Sequence, residues 1–137
     1  MERIVITGAT GFLGRNLAAL FLEKGYEVFA VVRPQSPNLR LLPTHPNFHL
    51  IQAPLEQTGQ WESQIGRAQG FFHFAWAGVN RQEIDSPQVQ ARNVAMSLEC
   101  LGAASRLGCG IFMDAGSRVE YGTPKAPFRE DMDCAPV

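Results

Sequence analysis

Near its start the chain reads Thr7-Gly8-Ala9-Thr10-Gly11-Phe12-Leu13-Gly14, with three glycines at equal spacing. Before this stretch stands the run Arg3-Ile4-Val5-Ile6, and unbroken apolarity of this kind is typical of a strand that is covered on both faces. Apolar residues then follow at helical spacing until Lys24-Gly25, where the glycine is placed to end a helix. The sequence therefore predicts a strand, a glycine turn and a helix in direct succession.

Predicted strands and helices alternate along the rest of the chain. Further buried strands are predicted over 26–32, 48–51, 71–75 and 111–114. Helices are predicted over 36–42, around Trp61 and Ile65, and from Ser86 to Gly108. The apolar face of the last helix carries Val94, Leu98, Leu101, Ala104 and Leu107. Residues 123–137 show no periodicity and are predicted as loop, so the alternation indicates an α/β protein with a doubly wound parallel sheet.

The length and the composition narrow the class of protein. The 137 residues fit one domain, 1–137, and Lys+Arg total 12 against Asp+Glu 13, so there is no basic field to hold a nucleic acid. The apolar run before Gly8 is far too short for a membrane span, and we expect none. Three cysteines without a Cys-x-x-Cys pair favour reduced thiols in a cytoplasmic protein, and three scattered histidines predict no metal site.

The glycine turn has the spacing of a dinucleotide-binding loop. Gly8 permits the tight turn, Gly11 lets the backbone approach a pyrophosphate, and Gly14 lets the helix pack closely. Free N–H groups at the start of the helix then face the phosphate charge. At the first strand-to-helix junction of an alternating chain, this pattern favours dinucleotide binding over a turn that is merely structural.

The spacing Gly-x-x-Gly-x-x-Gly resembles that of the extended short-chain dehydrogenase/reductase family, which includes sugar-nucleotide epimerases and dehydratases. Three later segments resemble family motifs in the family's order: His73-Phe74-Ala75-Trp76-Ala77-Gly78, Arg92-Asn93-Val94, and Gly116-Ser117-Arg118-Val119-Glu120-Tyr121-Gly122. The resemblance implies a Rossmann domain with strand order 3-2-1-4-5, and it corresponds to about the first half of a family member.

The resemblance also implies roles for individual residues. Ser117 is the expected catalytic serine, whose hydroxyl would hydrogen-bond the substrate oxygen during hydride transfer, unless it only caps a turn. Asn93 would reach the nicotinamide side; an asparagine within a helix is locally unfavourable, which favours a special role. The expected cofactor-binding residues are Gly8, Gly11, Phe12, Leu13, Gly14, Arg33, Leu55, Phe74, Ala75, Trp76 and Asn93.

The family's acid/base residue is a tyrosine followed four positions later by a lysine, on a helix beyond the serine loop. Tyr121 and Lys125 have this spacing, but Gly122 and Pro124 between them disfavour a helix, so we do not assign Tyr121 as the base. Without that helix, these 137 residues alone are not expected to turn over a substrate.

Cofactor choice depends on the residue that ends the second strand. Arg33 stands there instead of the acidic residue that holds the ribose hydroxyls of NAD, and a guanidinium paired with a phosphate favours NADP. Arg33 as a solvated strand end is the alternative. The stretch Gln52-Ala53-Pro54-Leu55 lacks the aspartate that is usual after the family's third strand, which leaves adenine recognition by a side-chain carboxylate without an assigned residue.

Together these features predict the NAD(P)-binding portion of an epimerase, dehydratase or reductase that acts on a nucleotide-linked sugar. Apolar surface near the fifth strand would favour self-association, so a homodimer is a further expectation. The alternatives are a non-catalytic dinucleotide-binding module and an inactive structural piece. Saturable binding of NADH or NADPH separates the first two from the third.

Overall fold

Apart from the helix predicted over 36–42, the strands and helices follow one another as the sequence predicts. The computed structural model describes residues 1–80, 82–123 and 127–136. The strands are β1 (Arg3–Thr7), β2 (Glu27–Val32), β3 (Phe48–Gln52), β4 (Gly70–His73) and β5 (Ile111–Asp114). The helices are α1 (Phe12–Glu23), α2 (Thr58–Ile65) and α3 (Pro87–Arg106), with short 3-10 turns at Leu39–Leu41 and Arg118–Tyr121.

All five strands pair in parallel in the order β3-β2-β1-β4-β5, which confirms the predicted topology. The chain builds outward from β1 through β2 to β3, then returns to the other side of β1 with β4 and β5. The direction of winding thus reverses at β1, and the carboxyl ends of β1 and β4 flank the point at which ligands bind in folds of this kind. The glycine turn of residues 8–11 leaves β1 at that point.

Successive residues of each strand point to opposite faces of the sheet, and each face has its own core. Val5 of β1 lies in the core that is covered by α2 and α3, together with Trp61 and Ile65. Ile4 and Ile6 lie in the other core, which α1 covers with Ala18 and Leu22. Burial on both faces explains why β1 reads as an unbroken apolar run.

The apolar face that was predicted for α3 is wrong in its first half. The side chains of Val94, Leu98 and Leu101 are 55%, 64% and 47% exposed. The helix instead turns a face of smaller side chains to the sheet, which consists of Asn93, Cys100, Ala103 and Ala104. Small side chains allow a helix to pack close to the strands, so the periodicity of the larger apolar residues indicated the wrong stripe.

The helix predicted over 36–42 is also largely wrong. Only the 3-10 turn Leu39–Leu41 forms, and Asn38 rather than Ser36 precedes it. Gln35 has a positive φ of 60°, which breaks the backbone before a helix can start. Ser36 is buried, and its hydroxyl donates to Thr10 Oγ1 at 3.3 Å, so this segment folds back onto the glycine turn instead of capping a helix.

Candidate dinucleotide-binding site

The glycine turn has no room for side chains. Gly8 has a φ of +68°, and a Cβ there would lie 2.5 Å from the carbonyl carbon of Phe74. A Cβ on Gly14 would lie 2.5 Å from the carbonyl oxygen of Gly8, and one on Gly11 would lie 3.2 Å from the same atom. The turn is closed by the N–H of Gly11, which donates to the carbonyl of Gly8 at 2.9 Å. Glycine is therefore required here by packing as well as by backbone conformation.

Helix α1 begins directly after this turn with an uncapped end. Its N-cap is Gly11, so no side chain accepts a hydrogen bond from the first turn, and that turn holds no acidic residue. Helix starts leave N–H groups without partners in the helix, and the helix dipole makes this end positive. The end of α1 is thus suited to an anion such as a pyrophosphate.

A cavity of about 430 Å³ opens in front of the turn. Seven of the predicted cofactor-binding residues line it: Gly8, Gly11, Arg33, Leu55, Phe74, Ala75 and Trp76. Eight further residues line it that the sequence motifs do not predict: Thr10, Val31, Val32, Pro34, Pro54, Glu56, Ala77 and Met96. Most of these adjoin predicted residues at strand ends, so proximity in sequence was an available signal. Met96 comes from α3, and only the fold brings it here.

Three predicted residues of the glycine turn lie outside the lining. The side chains of Phe12 and Leu13 are 72% and 56% exposed, so only their backbone N–H groups at the start of α1 are placed to meet a ligand. Gly14 is buried against Gly8 and Ala9, where it holds the helix on the turn. These residues shape the site through the backbone.

A buried histidine ties together the three elements behind the cavity. His73 ends β4 with no exposed surface; its Nδ1 lies 2.7 Å from Thr7 Oγ1 and its Nε2 lies 3.0 Å from Ser97 Oγ on α3. Thr7 Oγ1 also accepts from the N–H of Ala75 at 3.4 Å. Burial lowers the pKa of His73, and the negative charge of Asp114 opposes this shift. A neutral imidazole can bond both hydroxyls, one nitrogen as donor and the other as acceptor.

The predicted cofactor contact Asn93 lies behind the cavity wall. Its side chain is 2% exposed and is not among the cavity-lining residues. The Asn93 Oδ1 accepts from the N–H of Ala77 and its Nδ2 donates to the carbonyl of Ala77, both at 2.9 Å. Nearby, Trp76 Nε1 donates to Gln90 Oε1 at 3.0 Å. Asn93 therefore holds the segment after β4 against α3, which explains a buried amide in the middle of a helix.

The predicted catalytic serine lies away from the cavity lining. Ser117 follows β5 and is exposed, and its Oγ accepts from the N–H of Val119 at 3.3 Å, at the start of the turn Arg118–Tyr121. Tyr121 ends that turn, with its ring 5.9 Å from the ring of Phe128. Lys125 lies outside the described residues. In this structure the Ser117 hydroxyl caps a turn and is open to solvent.

Few charged side chains line the cavity. Among the described residues that line it, Arg33 is the only cation and Glu56 the only carboxylate. Both side chains are exposed, on the two strand ends that lie on the β2–β3 side of the glycine turn. A search of residues 1–80, 82–123 and 127–136 finds no cluster of three His, Cys, Asp or Glu side chains placed to hold a metal ion. Nor does any helix in those ranges have the length and apolarity to cross a membrane.

Comparison with known proteins agrees with the observed fold. The model of the NAD dependent epimerase/dehydratase family matches residues 4–137. The chain belongs to this family. It is 25% identical over 137 residues to a UDP-glucose 4-epimerase of Corynebacterium glutamicum, covering 98% of this chain and 41% of that protein. It is also 34% identical over 105 residues to a putative dihydroflavonol 4-reductase of Synechocystis, covering 75% of this chain and 29% of that protein.

A solved structure extends the likeness to a cofactor complex. The Bordetella bronchiseptica enzyme WbmG in complex with NAD superimposes with a TM-score of 0.77 at 25% identity, covering 98% of this chain and 44% of that one. This chain thus shares its fold with part of a protein that was solved in complex with NAD. The chain spans less than half the length of the Corynebacterium epimerase and of WbmG.

Proposed function

We propose that this chain binds NAD(P) and forms the cofactor-binding portion of an epimerase, dehydratase or reductase that acts on a nucleotide-linked sugar. The observation that carries the proposal is the uncapped start of α1, which stands behind a glycine turn where a Cβ at Gly8 would lie 2.5 Å from backbone. Glycine at these positions lets a phosphate approach the backbone, and the open N–H groups of the helix start can bind it.

The residues around the cavity fit the dinucleotide in order. The pyrophosphate would lie at the start of α1, held by backbone N–H groups of residues 12–14. The nicotinamide would lie toward Phe74, Ala75 and Trp76, which form the wall after β4. The small side chain of Ala75 permits close approach there, while Asn93 and His73 hold the wall from behind. When bound, the nicotinamide supplies the acceptor and donor of hydride.

Ser117 is the proposed catalytic residue. Its hydroxyl would donate a hydrogen bond to the substrate oxygen at the carbon that exchanges hydride, and so would stabilise the charge that develops there. The hydroxyl is accessible, and its only described bond is acceptance from the Val119 N–H, so its proton is free to be donated. A nucleotide sugar is supported as the substrate by the named activity of the Corynebacterium relative.

Arg33 supports a preference for NADP. It lines the cavity immediately after β2, where the adenosine ribose is bound in folds of this kind, and no carboxylate stands at that position to repel a phosphate. The NAD complex of the solved relative leaves NAD as the alternative. The charge of Arg33 thus favours the extra phosphate.

Equilibrium titration with NADH and NADPH tests the proposal. Quenching of Trp76, which is 42% exposed in the cavity lining, should saturate with one equivalent of cofactor. A protein whose fluorescence responds to neither cofactor, and which shows no heat of binding by calorimetry, would contradict dinucleotide binding. Binding without conversion of a nucleotide sugar is expected of these 137 residues alone, and it is equally consistent with the non-catalytic module.

Self-association is part of the same proposal. Ile111 and Met113 of β5 are 57% and 49% exposed, and the outer stripe of α3 adds Leu98 and Leu101. Apolar surface of this extent favours a second copy as partner. Sedimentation at several concentrations measures the dimer, and a Leu98→Glu variant that sediments like the wild type would remove the α3 stripe from the contact.

The free thiols of Cys100, Cys109 and Cys134 are consistent with a reducing, cytoplasmic location.

A further inference from the structure

A glutamine on α3 holds the aromatic side chain that lines the cavity after β4. We infer that Gln90 is a positioning residue for the cofactor: it fixes the ring of Trp76 as a wall against which the nicotinamide end of the dinucleotide packs. The inference rests on the proposed function, since it assumes that a dinucleotide binds, and it adds a residue that acts on the cofactor through another side chain. Gln90 is not among the cavity-lining residues, whereas Trp76 is.

The side-chain amide of Gln90 joins three groups. Its Oε1 accepts from Trp76 Nε1 at 3.0 Å and from Asn93 Nδ2 at 3.2 Å. Its Nε2 donates to the carbonyl oxygen of Ile84 at 3.1 Å. A carbonyl oxygen has two lone pairs and an indole has one N–H donor, so these bonds use the acceptor capacity of Gln90 and the donor of Trp76 in full. One residue of α3 thus holds the segment after β4 at two points.

The backbone next to Trp76 is fixed by other contacts. Asn93 bonds both backbone groups of Ala77 at 2.9 Å. Gly78 turns the chain with a φ of +71°, and a Cβ there would lie 2.6 Å from Val89 Cγ1 on α3. The indole ring is 42% exposed, so packing alone does not hold it. Without its hydrogen bond the ring can change rotamer about its two side-chain torsions while the backbone stays in place.

The sheet order puts Trp76 at the nicotinamide end of the cavity. The glycine turn after β1 takes the pyrophosphate in the proposed function, so the two halves of a dinucleotide extend toward the ends of β2 and β4. Arg33 lines the cavity at the end of β2, which is the adenosine side. Ala75 and Trp76 line it after β4, and Met96 enters from α3. A nicotinamide ring on that side has the indole as its aromatic neighbour.

A fixed ring binds a second ring more tightly than a mobile one does. An indole that is already held loses little freedom when the cofactor arrives, whereas a rotating indole must first be ordered. The adenosine half lies on the other side of the glycine turn and does not depend on this ring. Loss of the bond between Gln90 and Trp76 should therefore weaken binding of the nicotinamide half alone.

The test compares the whole dinucleotide with a fragment that lacks the nicotinamide. Calorimetry gives dissociation constants for the cofactor that binds more tightly, NADH or NADPH, and for the matching ADP-ribose, without or with the 2′-phosphate. In Gln90→Met a thioether of similar length replaces the amide and accepts only weakly, so the affinity for the dinucleotide should fall by about threefold to tenfold. The affinity for the fragment should stay within about twofold of the wild type, because the fragment does not reach Trp76.

Trp76→Phe removes the same bond from the other side. It deletes the indole N–H but keeps an aromatic ring, and it leaves the bonds of Gln90 to Asn93 and Ile84 in place. This variant should show the same selective loss. A double variant with Trp76→Phe and Gln90→Met should lose no more than either single variant, because one interaction accounts for both losses.

Gln90→Glu is the conservative variant and Gln88→Met the matched control. A carboxylate still accepts from the indole N–H, so Gln90→Glu should bind the dinucleotide more tightly than Gln90→Met does. Gln88 is exposed on the same helix and is not among the cavity-lining residues, so Gln88→Met should keep the wild-type affinities for both ligands.

Tryptophan fluorescence reports on the ring directly. In the ligand-free protein, the anisotropy decay should show faster indole rotation in Gln90→Met than in Gln88→Met. Trp61 is fully buried and contributes equally to both decays. Thermal melting confirms that each variant is folded.

Each outcome decides for or against the inference. A loss confined to the dinucleotide in Gln90→Met and in Trp76→Phe, with Gln88→Met unchanged, supports the positioning role. Equal losses for dinucleotide and fragment, no loss for either, or additive losses in the double variant overturn it and leave dinucleotide binding intact. If Gln90→Met does not fold, Trp76→Phe decides by the same comparison. A wild type that binds neither the dinucleotide nor the fragment overturns the proposed function, and this inference with it.

Discussion

The two sides of the sheet's carboxyl edge are built differently. The cofactor side is the edge formed by the ends of β1 and β4, and both strands are buried. There the glycine turn packs against the backbone of Phe74. His73 and Asn93 hold the wall after β4 from behind by hydrogen bonds. On the serine side, β5 is largely exposed, and Ser117 bonds only within its own turn. The core therefore determines the geometry of the cofactor side, whereas only local contacts determine that of the serine loop. Substitutions should show the contrast as a graded series in stability and cofactor affinity.

The largest effect is expected at Gly8. In Gly8→Ala the new methyl group would meet backbone at 2.5 Å with φ at +68°, so we expect a loss of roughly 3 kcal/mol or more in the free energy of unfolding, together with loss of cofactor binding. Gly25→Ala is the matched control, because Gly25 has a φ of +82° and no atom within 4 Å of the added Cβ. It should cost only the backbone strain of about 1–2 kcal/mol. Urea unfolding of both variants measures the difference, and equal losses would refute a packing role for Gly8.

Cofactor choice comes next. Arg33→Asp should weaken NADPH relative to NADH by about 10- to 100-fold, because the variant loses a charge-assisted pair with the additional phosphate and gains a repelling charge. Arg92→Asp makes the same charge change on the exposed surface of α3, outside the cavity lining, and should leave the ratio unchanged. Parallel titrations with the two cofactors give the ratios. If both variants change the ratio of the NADPH and NADH affinities equally, the effect is a general electrostatic one and no contact between Arg33 and the phosphate is supported.

His73 tests how firmly the wall after β4 is held. His73→Gln disturbs the contacts to the buried Thr7 hydroxyl and the half-buried Ser97 hydroxyl and leaves both without their partner, at a cost of about 1–3 kcal/mol. Chemical unfolding at neutral pH measures the cost. A variant as stable as the wild type would show that the two hydroxyls find other partners.

The same residue predicts a pH dependence. Because burial holds the pKa of His73 below the ordinary histidine value of about 6.5, the unfolded chain binds a proton at a higher pH than the folded chain does. Neutral His73 contributes its full stabilisation above the pKa that the residue has in the unfolded chain. As the pH falls from that pKa toward the pKa of the folded chain, the free energy of unfolding decreases by at most about 1.4 kcal/mol per pH unit. Unfolding measured between about pH 7 and 5 should show this slope in the wild type and in His45→Gln, an exposed control, and a weaker slope in His73→Gln.

The smallest effect on folding and cofactor affinity is expected at Ser117. Ser117→Ala should change the free energy of unfolding by less than about 0.5 kcal/mol and leave the dissociation constant of NAD(P)H unchanged, since the side chain is exposed. In a preparation that converts a nucleotide sugar, the same change should lower kcat by about 100-fold. Exposed Ser105, changed to alanine, provides the control for both measurements. Unaltered turnover would remove Ser117 from the mechanism.

Local signals were sufficient for most of the fold. The β-branched run, the glycine turn and the Ser86–Pro87 start of α3 are each set by neighbouring residues: the Ser86 hydroxyl accepts from the Val89 N–H, with proline in the first turn, as the pattern predicts. The apolar face of α3 was not predictable in this way. A helix has several apolar faces, and the distance between helix and sheet decides which of them packs. In α3 that distance favours the small side chains of Cys100 and Ala103 over Leu98.

In the candidate site, too, some features follow from local sequence and others depend on the tertiary structure. By itself the sequence determined that β1 is followed by a glycine-rich turn and by the start of a helix, because backbone conformation and hydrogen bonding there depend on residues next to one another. Only the tertiary structure decided that Glu56 and Met96 share a cavity with that turn, and that Asn93 holds its wall rather than lining it. Those contacts join strands and helices that are distant in the chain, and their geometry follows from sheet order and packing distance.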